Sequence, residues 1–369
     1  YLYPVNESIA AEMAISSPEL RAERIRSLTN WLKSDTGIII APVAALKRML
    51  PPAFYWDLYE VSVIDGGTVQ LDEAIFKLIE MGYERTEMVT SPAEFSVRGG
   101  IMDIYPITEK NPIRIELFDD EVDSIRYFDA NTQRSLEKLT EVNIGPAKEL
   151  LLTSEDMLRG AEKAEKALAA ALKKMKASKD KEKLLQTIEY DIERLKDGES
   201  FQEMYKYSEF FYENVSSLLD YLPKDGLVIF DEMGRIQETA EQLDKEEMEF
   251  HQILLEQLET IPGMTFSFDW TKIKEKFNHQ RIYLSVFLRH IPNTQPENIV
   301  NMSSRAMQEF HGQMPLFKSE LERWNKADYS VVILATNEER AKRVRSILHD
   351  YGMEVPILEM NELTLPIQH

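Results

Sequence analysis

Cysteine is absent from all 369 residues, so the chain has no disulfide, no thiolate metal ligand and no cysteine nucleophile. That absence fits a reducing compartment, and a cytoplasmic location is the expectation. No apolar run approaches the ~18 residues that a membrane-spanning helix needs, so no membrane contact is expected. The first residues lack the basic and apolar regions of a signal peptide. Basic residues are outnumbered: 43 Lys and Arg stand against 64 Asp and Glu, for a formal net charge of −21. So acidic a chain repels polyphosphate, which argues against a nucleic-acid-coating role. Also missing are the phosphate-cradling G-x-x-x-x-G-K-[ST] loop and the G-x-S-x-G nucleophile elbow. His251, His279, His290 and His311 fall in different expected elements, and no H-x-x-x-H or H-E-x-x-H spacing joins them. No metal site is expected.

What is present reads as a soluble mixture of α/β and α+β domains. Residues 1–52 look like the tail of an α/β unit. Apolar Leu20, Ile25, Leu28, Trp31 and Leu32 give helical spacing from Pro18 to Lys33, and Ile38–Ala41 resembles a buried parallel strand. The chain opens at Tyr1 inside a strand-like stretch, so the first domain is expected to lack its N-terminal portion. Residues 53–152 read as an inserted α+β domain. It has a helix near Leu71–Met81 and strands at Met88–Val89, Phe95–Val97, Ile101–Tyr105, Ile113–Phe118 and Val122–Phe128. Residues 153–293 return to helices and then to α/β, with a buried strand at Leu227–Phe230 and another at Phe266–Phe268. Residues 294–369 look like a small α/β domain with strands at Ile299–Met302 and Val331–Leu334, reached through a linker marked by Pro292 and Pro296.

Three constellations carry possible chemistry. Leu227–Glu232 is an apolar run ending in Asp231-Glu232, the shape of a Walker B strand, where a carboxylate holds Mg²⁺. Without a phosphate cradle or its lysine such a pair repels ATP, and a structural strand end is the simpler account. Lys173, Lys174, Lys176, Lys179, Lys181 and Lys183 form a basic cluster, but Asp180 and Glu182 interrupt it, as on a solvated helix face. Arg98, Arg114 and Arg126 fall on neighbouring strands with Phe118. They make either a protein-binding hot spot or ordinary cross-strand pairs with Asp103, Glu116 or Asp123.

The segments RGGIMDIYP (Arg98–Pro106), IRIELFDDEVDSIR (Ile113–Arg126) and FDANTQRS (Phe128–Ser135) closely resemble the second domain of the bacterial transcription-repair coupling factors, the Mfd family. The same fold occurs in the excision-repair helicase UvrB. NIGPAKE (Asn143–Glu149) points to the coupling factors rather than to UvrB, LYPVNE and SPELRAERI resemble their first domain, and FHGQM (Phe310–Met314) the start of their third. The resemblance implies an N-terminal module: a degenerate UvrB-like, P-loop-helicase-derived α/β domain, an inserted α+β domain, and a small α/β domain. It implies recruitment of UvrA through the inserted domain, with Arg98, Arg114 and Phe118 as contacts and Arg85 as a weaker candidate. It implies that ATP, Mg²⁺, DNA and RNA polymerase are engaged by motor and polymerase-binding domains C-terminal to this region, so this region needs no cofactor and is not itself catalytic. It also implies that the inserted domain packs on the C-terminal domain in the resting full-length protein. Met233-Gly234 stands where UvrB-like proteins have Ser-His after the acidic pair, consistent with a degenerate Asp231-Glu232. The rival expectation is an active UvrB-like, ATP-dependent DNA-binding enzyme.

Overall fold

A computed structural model describes residues 1–5, 17–287, 290–291, 294–302 and 306–358. Asn6 and Glu7 of the LYPVNE stretch, and Pro292 of the linker, lie outside the described residues. The chain divides into two compact units, Tyr1–Thr294 and Gln295–His369.

The first unit starts with α1 (Pro18–Leu32), capped by Ser17 with proline at its first position. Short helices α2 (Val43–Lys47) and α3 (Phe54–Leu58) follow, then β1 (Val61–Ile64) and α4 (Leu71–Glu80). Gly82 takes φ +91° just past α4, a backbone that favours glycine. Six strands form the main sheet: β2 (Glu84–Arg85), β3 (Glu94–Arg98), β4 (Ile101–Ile104), β5 (Ile113–Phe118), β6 (Glu121–Phe128) and β7 (Ser135–Leu139), in sequential order. β2 runs parallel to β3 and the other neighbours are antiparallel. β8 (Glu141–Ile144) pairs antiparallel with β1. Phe95, Met102, Ile104, Ile113, Ile115 and Ile125 line the inner face and are fully buried or nearly so.

The exit segment 145–152 returns the chain from the sheet to α5 (Ser154–Lys174) and is pinned by buried polar groups. Hydroxyls of Tyr83, Tyr212 and Tyr59 donate to the carbonyls of Gly145, Leu151 and Leu152 at 2.8, 2.6 and 2.6 Å. Burial pushes the Tyr59 hydroxyl up to about 12. Glu149 receives Arg24 at 2.9 and 2.8 Å and Arg48 at 3.2 Å. Such pairing is what a buried carboxylate requires. The inserted sheet therefore has a fixed seat on α1 and the helical layer.

α5 begins with a reciprocal capping box between Thr153 and Asp156 and packs on α6 (Lys179–Lys196). A 3₁₀ turn (Gln202–Tyr207) leads into α7 (Ser208–Phe211). β9 (Leu227–Asp231), α8 (Met233–Gln257), α9 (Trp270–Glu275) and β10 (Gln280–Leu284) close the unit, with β9 and β10 parallel. Phe230 stacks on Tyr283 at 5.2 Å and packs edge-on to Phe277, forming a second core with Trp270 and Ile273. The second unit contains α10 (Met314–Lys326) and α11 (Glu338–Asp350).

Several expected strands are corrected. Ile38–Ala41 is not a buried strand: Ile40 forms one bridge, to Leu2, and Ile38 and Ile40 are exposed. Leu227–Phe230 is a strand but not a buried one, because its two-stranded sheet is packed on the Phe230 side and Leu227 and Ile229 are exposed. At Met88–Val89 there is no strand. The Glu94 carboxylate accepts the N–H groups of Thr90 and Ser91 at 2.7 and 2.9 Å, folding the chain into a turn. Phe266–Phe268 gives its N–H groups to Glu247 and to the Lys47 carbonyl rather than to a strand. Among the described residues Ile299–Met302 and Val331–Leu334 have no ladder partner. Among the described residues of the second unit only helices are formed.

Candidate partner-binding site

Strand alternation sends every second residue of the six-stranded sheet away from the core. Register aligns Ser96, Asp103, Arg114, Arg126 and Lys138 in one row across β3 to β7. The next row on this outer face holds Arg98, Ile101, Glu116 and Ser124. Three of the expected contact residues, Arg98, Arg114 and Phe118, lie on this outer face.

Asp103 organises the rows. Its side chain is 1% exposed, and it receives Nε and Nη2 of Arg114 at 2.7 and 2.8 Å and Nη2 of Arg98 at 3.1 Å. The fork-to-fork geometry with Arg114 is the strong form of this contact. The hydrogen bond to Asp103 holds the Arg114 guanidinium above its ordinary value. Arg114 also donates to Gln133 Oε1 at 3.2 Å and lies 4.5 Å over the Phe128 ring. Phe128 is fully buried yet belongs to neither hydrophobic core, so Arg114 serves as part of its cover. Arg126 pairs with Glu116, which also accepts from Ser124 at 2.9 Å. The cross-strand pairs with Asp103 and Glu116 are thus present.

Pairing leaves the two Asp103-bound arginines unequal. Arg114 is 15% exposed and enclosed, whereas Arg98 is 54% exposed and held by one bond. Phe118 ends β5 with 76% of its surface exposed, just before a turn in which Asp119 takes φ +54°. Its register partner is Glu121. Close packing of the β3–β4 turn holds the row in place: Leu117 N donates to the Gly100 carbonyl at 2.7 Å, and a Cβ on Gly100 would meet the Leu117 carbonyl oxygen at 2.5 Å. One carboxylate between two guanidiniums, one of them open to solvent, shares this face with an exposed aromatic at the end of β5. The face suits a partner that offers a carboxylate and an apolar socket.

Arg85 stands apart. It is exposed on edge strand β2, in register with Phe95 and so in the row that alternates with Arg98. Asp103, Phe128 and Gln133 were not singled out as site residues from the sequence. Their signal was present: Asp103 lies on β4, the strand between those of Arg98 and Arg114, and Phe128 and Gln133 sit inside FDANTQRS.

The acidic pair lies elsewhere. Asp231 is exposed at the end of β9. Glu232 takes φ +59°, its N–H donates to the Leu284 carbonyl at 3.0 Å, and its carboxylate accepts from Val286 N at 2.6 Å. That carboxylate ties β9 to the chain leaving β10. Among the described residues no three His, Asp or Glu side chains are grouped to hold a metal ion. Lys173, Lys174, Lys176, Lys179 and Lys183 are exposed around the turn between α5 and α6, and Lys181 is half-buried. Among the described residues no helix is long and apolar enough to cross a membrane.

Comparison with known proteins fits this geometry. Residues 61–150, which hold the six-stranded sheet, match the UvrB interaction domain family. Over 97% of its length the chain is 48% identical to the transcription-repair-coupling factor of Bacillus subtilis. Over 96% it is 34% identical to that of Staphylococcus haemolyticus and 33% identical to that of Staphylococcus aureus (strain MRSA252). The chain belongs to the transcription-repair-coupling factor family, and it spans 30% of the length of these relatives.

Proposed function

We propose that this chain is the recruitment module of a transcription-repair coupling factor and that it docks the excision-repair protein UvrA. The observation that carries the proposal is the outer face organised by Asp103, on which Arg98 reaches solvent and Phe118 stands exposed at the end of β5, within the residues that match the UvrB interaction domain family. Arg98 supplies a charge-assisted contact, Phe118 an apolar anchor, and Arg114 the enclosed cation that fixes the face. Arg85, in register with inner-face Phe95, is left out of this surface. In the full-length protein, ATP-driven translocation on DNA and displacement of stalled RNA polymerase fall to other domains. There the resting state covers this same face with the C-terminal domain. The Leu227–Glu232 strand is taken as a degenerate relative of a helicase Walker B strand, kept for structure. The proposal is tested by titrating UvrA against the wild-type chain and the Arg98→Ala and Phe118→Ala variants. Weakened binding in both supports it, and wild-type affinity in both refutes it. The rival, an ATP-dependent DNA-binding enzyme, requires ATP binding near Asp231 and Glu232.

A further inference from the structure

Gln133 carries one of the few left-handed, non-glycine backbones in the inserted domain, at φ +59°. A backbone of this kind is uncommon for residues other than glycine and persists where its surroundings fix it, often at functional sites. Here the surroundings are an Asp129-centred turn. Asp129 Oδ1 accepts from the N–H groups of Asn131 and Thr132 at 3.1 and 2.7 Å and from the Thr132 hydroxyl at 2.9 Å. Backbone bonds join Gln133 N to the Asp129 carbonyl at 2.8 Å and Asp129 N to the Arg134 carbonyl at 2.9 Å.

The turn aims the Gln133 amide with both ends in use. Nε2 donates to the carbonyls of Ala130 and Val89 at 2.8 and 3.3 Å, which leaves Oε1 facing Arg114 Nη2 at 3.2 Å. Reversing the amide would set its NH₂ against the guanidinium and its oxygen against two carbonyls, so one orientation is fixed. Arg114 is thus held from three directions: the Asp103 carboxylate, the Phe128 ring and the Gln133 amide. Glycine satisfies the same backbone at no steric cost. What Gln133 adds to the turn is therefore its side chain, which ties Arg114 to the backbone carbonyls of Ala130 and Val89.

We infer that Gln133 is a positioning residue for the recruiting face, fixing the Arg114 guanidinium and, through the shared Asp103 carboxylate, the pose of Arg98. The inference rests on the UvrA-docking reading above. Its test compares Gln133→Gly with Arg98→Ala in the intact chain. UvrA affinity is measured by titration, thermal stability by unfolding, and rotation of the Arg114 guanidinium by ¹⁵N NMR. Gln133→Gly is expected to lower the melting temperature by less than about 5 °C, to free the Arg114 guanidinium to rotate, and to weaken UvrA binding about fivefold. Wild-type affinity in Gln133→Gly, alongside weakened Arg98→Ala, overturns this inference alone. A fall in melting temperature of more than about 5 °C together with weak binding assigns Gln133 to folding and also overturns it. Wild-type affinity in Arg98→Ala overturns the docking reading beneath it.

Discussion

Arg24 and Glu149 meet in a two-pronged ion pair at 2.9 and 2.8 Å across 125 residues of sequence, with the Arg24 side chain fully buried. The pair joins α1 to the segment that leaves the inserted sheet. Burial alone would raise the Glu149 carboxyl, but Arg48, Arg24 and the Tyr3 hydroxyl outweigh it and hold it below the usual value of 4.5. Arg24→Ala is expected to cost about 3–5 kcal/mol, because it leaves a buried carboxylate with less compensation. A folded-state carboxyl that is depressed stabilises above the unfolded value and stops doing so as pH falls through the folded value. Urea unfolding should show wild-type stability falling on the acid side of pH 4.5, and a shallower acid loss in Glu149→Gln.

Phe118 has 76% of its surface exposed and contributes little to folding. Phe118→Ala should change stability by less than about 0.5 kcal/mol. Its effect on UvrA affinity should be about 2 kcal/mol, the size of a central aromatic anchor. Paired unfolding and titration experiments separate the two. A stability loss equal to the affinity loss would mean that Phe118 packs rather than docks.

Asp103 and Arg98 should behave in opposite ways. Asp103 is buried under two guanidiniums, whereas Arg98 is half exposed. Asp103→Ala removes the partner of both and should lower stability by about 1–3 kcal/mol. Arg98→Ala should leave stability almost unchanged while weakening UvrA. Gly100→Ala is expected to damage both, because its Cβ would press on the Leu117 carbonyl at 2.5 Å and shift the β3–β4 turn.

Much of the inserted domain was legible in the sequence. Period-two apolar spacing placed β3 to β6 to within one or two residues. β7 was not legible, because Ser135–Leu139 is an edge strand whose first four residues are exposed. β9 looked buried because apolar composition does not reveal that one side of a two-stranded sheet faces solvent. At the site, residue types pointed to Arg98, Arg114, Arg126 and Phe118, and the resemblance narrowed them to three, while the role of Asp103 depends on which residues the register aligns. The inequality of the two arginines, one enclosed and one open, is a fact of packing that no spacing encodes.

Glu232 offers a check on the rival enzyme. Its carboxylate is engaged by Val286 N at 2.6 Å, so it acts as a tie between strand ends. Glu232→Ala should lower stability by about 1 kcal/mol, the loss of one charge-assisted hydrogen bond. ATP with Mg²⁺ should not shift the melting temperature of the wild-type chain. A rise in melting temperature that Glu232→Ala abolishes would favour the enzyme.

The most direct measurement is the affinity of UvrA for the wild-type chain and for Arg98→Ala, at matched salt and with unfolding curves for both. The account predicts at least about tenfold weaker binding, or 1.4 kcal/mol, with the unfolding curves superimposed. Equal affinity for the two proteins would contradict it.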